Sequence, residues 1–179
     1  HGEMLFSQDR MYKSIWYDES LLVPWLIRWP GRIEPGRDDL LLGAIDIYPT
    51  LLGLAGLVDA APETLDGDDR SGILLGQDDD RPTSAFYLWP NAEIERDRRA
   101  FTSARGLRTH RYTFIVGRDL GGDETVILHD NELDPFQLEN CAADQPDRVA
   151  RLQEELHTWL KKTDDPWTRG EIEPSIYPA

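Results

Sequence analysis

The sequence predicts an α/β fold, in which a strand of a covered parallel sheet is followed by a small antiparallel sheet and a C-terminal helix. Residues 21–27 are almost continuously apolar, a pattern typical of a strand covered on both faces. Short segments after residue 84 alternate apolar and polar side chains between turn residues, as in an antiparallel meander. Residues 146–162 carry an apolar stripe at helical spacing.

The N-terminal segment, residues 1–20, is predicted to be a loop that contains one short helical turn. Residues 21–29 are predicted to form a strand, which ends at Trp29-Pro30-Gly31. Pro24 cannot donate a hydrogen bond to a neighbouring strand. The strand therefore begins at this proline, or this position lies at an edge of the sheet.

A helix is predicted to follow this strand. Asp46 is a suitable N-cap, Pro49 is tolerated in the first turn, and Gly56 is suited to the end of the helix. Residues 60–82 then form a linker rich in Asp, Gly and Pro. Its acidic runs lack the ligand spacing of a calcium loop and are expected to be solvated turns. These runs are residues 66–69 and 78–80.

Short strands and one helix are predicted for the C-terminal half. The strands are residues 85–89, 101–109, 112–116 and 125–129. The helix spans residues 146–162, with Asp144 as a suitable cap and with Lys161 and Lys162 at the negative end of the helix dipole. Residues 163–179 are expected to form a tail.

The composition indicates one folded segment. The 179 residues are 40% hydrophobic and include six Trp, which is enough for a single core. The formal net charge of −15 disfavours nucleic acid and anionic membrane surfaces as partners, since both bind cationic patches. No apolar run is long enough to cross a membrane. The single Cys, Cys141, excludes an intrachain disulfide.

Two residues near the start are candidates for chemistry. His1-Gly2 places an imidazole beside a conformationally free residue, as where a loop brings a ligand close to a metal or an anion. Lys13 is one of three lysines in a chain that uses Arg freely, and a compact ammonium suits a tetrahedral anion or a leaving oxygen. The alternative is that both are solvated surface groups.

Several blocks at fixed spacing resemble the sulfatase family of the alkaline-phosphatase superfamily. Family members carry S-D-H-G-E-x-L-G-x-H-G-x-W-x-K and then Y-E-E-S-x-R-V-P-L-I-I-R-W-P-G. The matching blocks are His1-Gly2-Glu3-Met4-Leu5 with Lys13, Tyr17-Asp18-Glu19-Ser20, and Val23-Pro24-Trp25-Leu26-Ile27-Arg28-Trp29-Pro30-Gly31. Weaker resemblances cover residues 46–56, 105–112 and 128–140. Several blocks in one register are far more specific than any one of them.

The resemblance implies roles for two residues. His1 falls on the residue that follows a metal-binding Asp, so it is implied to be a ligand of a divalent cation, usually calcium. Lys13 falls on the lysine that contacts the sulfate group and the bridging oxygen. It is implied to bind the substrate and to stabilise charge on the leaving group during catalysis. The second His of the family motif is Gln8 here, which is a departure from the pattern.

The resemblance implies a sulfuric ester hydrolase whose other parts lie upstream. Family members use a formylglycine made from a C/S-x-P-x-R motif, and Cys141 is not followed by that Pro and Arg. Residues 1–83 are expected to be the C-terminal portion of the catalytic α/β domain, and residues 84–179 an antiparallel sheet plus helix subdomain. The expected partners are a sulfate ester and the missing N-terminal part, without which little turnover is expected.

Two other hypotheses stay open. A phosphonate monoester or phosphodiester hydrolase shares the superfamily fold and much of its metal chemistry, and the upstream nucleophile would discriminate between them. The second hypothesis is a non-catalytic C-terminal subdomain that only packs against a partner segment. Poor solubility of the isolated chain would indicate dependence on an upstream half.

Overall fold

The structure, a computed structural model, describes residues 2–13, 15–89, 103–119 and 121–171. The chain forms two compact units. One unit consists of His1–Pro24 together with Phe86–Ala179, and the other consists of Trp25–Ala85. The boundary at residues 83 and 84, which refers to domains of a longer protein, stays a prediction.

Four strands among the described residues form one sheet in the order β1-β2-β3-β4. They are β1 (Ala85–Trp89), β2 (Ser103–Arg108), β3 (Tyr112–Arg118) and β4 (Glu124–Asp130). β3 pairs antiparallel with β2 and with β4, so Leu107 lies opposite Phe114 and Phe114 lies opposite Leu128. The predicted antiparallel sheet is confirmed. The predicted strand start at residues 101 and 102 lies outside the described residues.

One face of the sheet packs against the predicted C-terminal helix, α4 (Pro146–Lys162). The bounds of α4 match the prediction, and Pro146 occupies the first turn, where a missing N–H is tolerated. Gln145 rather than Asp144 is the N-cap residue, and no side chain in the described ranges caps the helix. None of the described helices is both long and apolar enough to cross a bilayer. The core on this face consists of Leu107, Tyr112, Phe114, Val116, Leu128, Leu152, Leu156, Leu160 and Trp167.

The opposite face of the sheet packs against the N-terminal segment. Phe114 and Ile115 are neighbours in β3, so their side chains point to opposite faces. Ile115 packs with three buried side chains of the N-terminal segment, Met4, Ile15 and Trp16. The segment that contains the candidate functional residues is therefore anchored on the face that does not carry α4.

The prediction of a strand at residues 21–29 is wrong for the described structure. Leu21 ends a short helix, α1 (Asp18–Leu21), and residues 22–29 form no strand. Leu26 is 93% exposed. A strand exists only where a neighbouring backbone pairs with it, and none of the described strands runs beside this segment. The expected short helical turn within the N-terminal loop is present as α1.

In the second unit, α2 (Ala44–Ala55) begins two residues before the predicted N-cap. Asp46 lies inside the first turn, where Oδ2 accepts the Gly43 N–H at 2.9 Å and Oδ1 accepts the Asp68 N–H at 2.8 Å. The Asp46 carboxylate therefore accepts the N–H of the N-cap residue, as the third helical residue does in a capping box. Gly56 ends the helix as predicted, with a φ of 70°. A further short helix, α3 (Ser71–Leu74), follows.

Candidate functional site

Lys13 is exposed at the end of the N-terminal loop. Backbone hydrogen bonds close this loop, from the Met4 N–H to the Tyr12 carbonyl at 2.7 Å and from the Phe6 N–H to the Arg10 carbonyl at 2.9 Å. Among the described residues, no hydrogen bond or ion pair engages the Lys13 ammonium. Its charge is therefore available to an anionic ligand.

The loop before Lys13 has an unusual backbone. Its left-handed residues are Leu5, Phe6, Gln8, Asp9 and Tyr12, none of them glycine, with φ between 48° and 70°. This conformation costs about 1–2 kcal/mol for each ordinary residue, and it persists where the surroundings impose it. Buried Met4 precedes the loop, and buried Ile15 follows it. Packing at the two ends therefore holds the loop in its shape.

His1, the predicted cation ligand, lies outside the described residues. Gly2, its neighbour in the chain, donates its N–H to the Ser20 carbonyl at 2.8 Å. A Cβ on Gly2 would lie 1.9 Å from the Glu19 carbonyl oxygen. The close approach of two backbones, rather than a special dihedral angle, therefore requires glycine at this position.

Gln8, which stands at the second His of the family motif, makes a structural contact. Its Nε2 donates to the Phe136 carbonyl oxygen at 2.5 Å. Next to it, the Ser7 hydroxyl donates to the Glu19 carboxylate. Both contacts fix the loop to other parts of its own unit.

The ring of half-buried Tyr17 contacts the ring of buried His129, with ring centroids 5.9 Å apart. Burial raises the pKa of Tyr17, which a hydrogen bond from Arg10 opposes. Burial lowers the pKa of His129, whose Nδ1 lies 2.8 Å from the Glu139 carbonyl oxygen. His129 Nε2 is buried and has no hydrogen-bond partner among the described residues. His129 is thus buried, whereas His110 is exposed.

The described residues do not by themselves form a cation site. Nowhere in the described ranges do three His, Cys, Asp or Glu side chains come together as metal ligands. Cys141 is half-buried, its Sγ lies 3.2 Å from the Leu128 carbonyl oxygen, and burial raises the pKa of its thiol. A raised thiol pKa disfavours the reactive thiolate.

Comparison with known proteins gives a consistent set of relatives. A family profile described as "N-sulphoglucosamine sulphohydrolase, C-terminal" matches residues 7–165. An endo-4-O-sulfatase of Bacteroides thetaiotaomicron is 38% identical over 96% of this chain and 36% of its own length. Arylsulfatase K of Mus musculus is 30% identical over 88% of this chain and 28% of its own length.

A solved structure has a similar fold. It comes from work on the metabolism of multiple glycosaminoglycans by Bacteroides thetaiotaomicron, and it matches with a TM-score of 0.84 and 36% identity. The match covers 96% of this chain and 37% of that one. This chain thus spans about a third of the length of the curated relatives that it matches.

Proposed function

The chain belongs to the N-sulphoglucosamine sulphohydrolase C-terminal family, and from this membership we propose that it is the C-terminal part of a sulfuric ester hydrolase. The match over residues 7–165 is the observation that carries the proposal. It confirms the resemblance to sulfatases, and the solved relative agrees with the α/β fold class. The available ammonium of Lys13 supplies a group with suitable chemistry.

Lys13 is proposed to bind the sulfate group and to act at the leaving oxygen. Hydrolysis of a sulfate ester leaves negative charge on the oxygen that departs. An ammonium held at that oxygen stabilises the charge in the transition state more than in the ground state, and this difference accelerates the reaction. The anchored backbone beside Lys13 supports the role, because a fixed loop limits the reorganisation needed during the reaction.

His1 is proposed to be one ligand of a divalent cation, with further ligands and the nucleophile supplied by an upstream part. In sulfatases a formylglycine supplies the nucleophile and the cation polarises the sulfate. Among the described residues, Gly2 supports this role, because it is next to His1 in the chain and is itself held in place. Its bond to Ser20 and its close approach to Glu19 fix this end of the segment.

The proposed partners are a sulfate ester and the remainder of a longer polypeptide. Residues 1–83 would complete its α/β catalytic domain, and residues 84–179 would form its C-terminal subdomain. Exposed apolar side chains on two loops of the first unit support a covering partner segment, since isolated domains rarely expose so many together. These side chains are Leu5, Phe6, Met11, Tyr12, Leu133, Phe136 and Leu138.

Expression of this chain with its own upstream reading frame tests the proposal. We expect that frame to encode Asp directly before His1 and a C/S-x-P-x-R motif further upstream, and the purified protein to hydrolyse an aryl sulfate faster than a matched aryl phosphonate or phosphodiester. A Thr or unmodified Ser nucleophile with faster phosphonate cleavage would favour the phosphonate hydrolase. A start codon directly before His1 would rule out a hydrolase.

A further inference from the structure

The short helix α1 contacts the segment that carries the candidate residues at two points, Gly2 and Ser7. At one end, the Ser20 carbonyl accepts the Gly2 N–H, and Gly2 packs closely against the Glu19 carbonyl. Within the loop, the Glu19 carboxylate accepts the Ser7 hydroxyl. A displacement of α1 would therefore move Gly2 and the loop that ends at Lys13.

Asp18, the first residue of α1, joins this helix to the sheet. Arg108 at the end of β2 donates to both oxygens of the Asp18 carboxylate, from Nε at 3.0 Å and from Nη2 at 2.9 Å. The two side chains are 14% and 23% exposed, respectively. A bidentate pair of this kind fixes direction as well as distance.

Gln137 makes a second, fully buried connection to α1. The side chain is 1% exposed, and its Oε1 accepts the Asp18 backbone N–H at 2.8 Å. Its Nε2 lies 2.8 Å from Thr113 Oγ1, 2.8 Å from Asn131 Oδ1 and 3.3 Å from Asp18 Oδ1. The amide thus uses its acceptor and its donors at once, which a carboxylate or an apolar side chain cannot do.

The backbone at Gln137 indicates that this placement is imposed. Its φ is 54°, and its N–H donates to the Asp134 carbonyl at 3.0 Å within a turn. A left-handed glutamine is unfavourable by itself, and here the turn aims the amide into the interior. Gln137 therefore sits in a strained turn and reaches a helix that is 119 residues away in sequence.

We infer that Gln137 is a positioning residue for the candidate site. It fixes α1 to the sheet, and α1 fixes Gly2 and the loop before Lys13. The catalytic consequence rests on the proposed function, whereas the structural consequence does not. Arg108 shares this task through Asp18.

The structural consequence can be measured on the 179-residue chain. Lysine ammonium groups labelled by reductive ¹³C-methylation give few NMR signals, since Lys13, Lys161 and Lys162 are the lysines of the chain. Replacement of Gln137 by Glu removes the amide donors and places a carboxylate beside Asp18. We expect Gln137→Glu to shift the Lys13 signal and leave the other two in place. The matched control is Gln153→Glu, on the exposed side of α4.

The variant Asp18→Asn provides a second test if Gln137→Glu does not fold. It keeps the size of the side chain and weakens the pair with Arg108, so a shift of the Lys13 signal is expected again. If either folded variant lowers the unfolding midpoint and leaves the Lys13 signal unchanged, Gln137 only stabilises the fold, and the inference is overturned.

A kinetic arm uses the intact enzyme. Gln137→Glu is expected to lower kcat/KM at least about tenfold, because Lys13 is proposed both to bind the sulfate group and to act at the leaving oxygen, and its placement is lost. In a Lys13→Ala background the same change should cost nothing further. Equal losses in both backgrounds would contradict positioning through Lys13. An intact protein that does not cleave sulfate esters would defeat the proposed function, while the NMR result would still decide the inference.

Discussion

Gly2 shows how one missing side chain determines the placement of the N-terminal segment. An alanine Cβ at this position would lie 1.9 Å from the Glu19 carbonyl oxygen, so the backbones must separate. We expect Gly2→Ala to lower the free energy of unfolding by about 1–3 kcal/mol, the usual cost of overpacking. Urea denaturation measures the effect. Gly36→Ala is the control, because no described atom beyond its two chain neighbours lies within 4 Å of its Cβ position. A comparable loss there would refute the steric explanation.

His129 makes stability depend on pH. Burial lowers its folded-state pKa below the ordinary value of 6.5, so the unfolded chain binds more protons between the two values. The stability from His129 is therefore complete above pH 6.5 and is lost as the pH falls toward the folded pKa. We expect the denaturation midpoint to decrease as the pH is lowered from about 7 to about 5. His129→Asn should reduce the slope of the midpoint against pH. His110→Asn, an exposed control, should keep the slope, and an unchanged slope in His129→Asn would exclude His129 as its source.

At the scale of elements, a buried ion pair joins the sheet to the chain after α4. Arg105 on β2 is fully buried and donates from Nε to Asp165 Oδ2 at 2.6 Å. Asp165 Oδ1 also accepts the Trp167 N–H at 2.9 Å, and the Trp167 ring lies 4.9 Å from the Arg105 guanidinium. The segment expected to be a tail is therefore part of the core up to this tryptophan.

Removal of one partner should expose the cost of the buried charge. Asp165→Ala removes the buried carboxylate that lies 2.6 Å from Arg105 Nε, and we expect the free energy of unfolding to fall by about 3–5 kcal/mol. The control is Glu132→Ala, which breaks a partly exposed contact with Arg111 at 3.4 Å and should give no resolvable change. Thermal denaturation measures the loss of stability in both variants. Equal losses would show that burial does not determine the cost of removing one partner of an ion pair.

Local patterns predicted the elements that local interactions determine. The stripe of α4 matches the buried face of that helix, and the turn residues between β3 and β4 limit both strands, so the predicted bounds were nearly correct. The strand expected at residues 21–29 failed because a strand depends on a neighbour. Asp46 was placed at the N-cap instead of the first turn, because a carboxylate favours both positions.

The candidate site was predictable only in part. Motif spacing identified His1 and Lys13 on one continuous segment, and their roles stay predictions. Gln137 could not be found in this way, since its role depends on a contact with Asp18 across 119 residues and on a left-handed turn. The one available signal was its place in a block that resembles the family, after Asp134-Pro135.

At the scale of the whole molecule, high negative charge coexists with exposed apolar loops. The net charge of −15 opposes association of identical chains, whereas the loops that carry Phe6 and Phe136 favour it. Salt reduces repulsion, since the Debye length is about 10 Å at 0.1 M and about 3 Å at 1 M.

We therefore expect the isolated chain to associate as salt is raised. Light scattering after size exclusion measures the mass. Phe6→Ser combined with Phe136→Ser should reduce the association, because both side chains are about two-thirds exposed, at 68% and 70%. Thr158→Ser on the exposed side of α4 is the control. An isolated chain that stays monomeric at high salt would show that these loops do not mediate self-association.

The kcat/KM of the intact protein for an aryl sulfate measures whether Lys13 acts on a sulfate ester. Lys13→Ala is compared with Lys161→Ala, an exposed lysine at the end of α4. We expect Lys13→Ala to lower kcat/KM by about 10²- to 10³-fold, the usual cost of one group that stabilises transition-state charge. Lys161→Ala should leave it unchanged. Equal activity of the two variants would show that Lys13 is a solvated surface group.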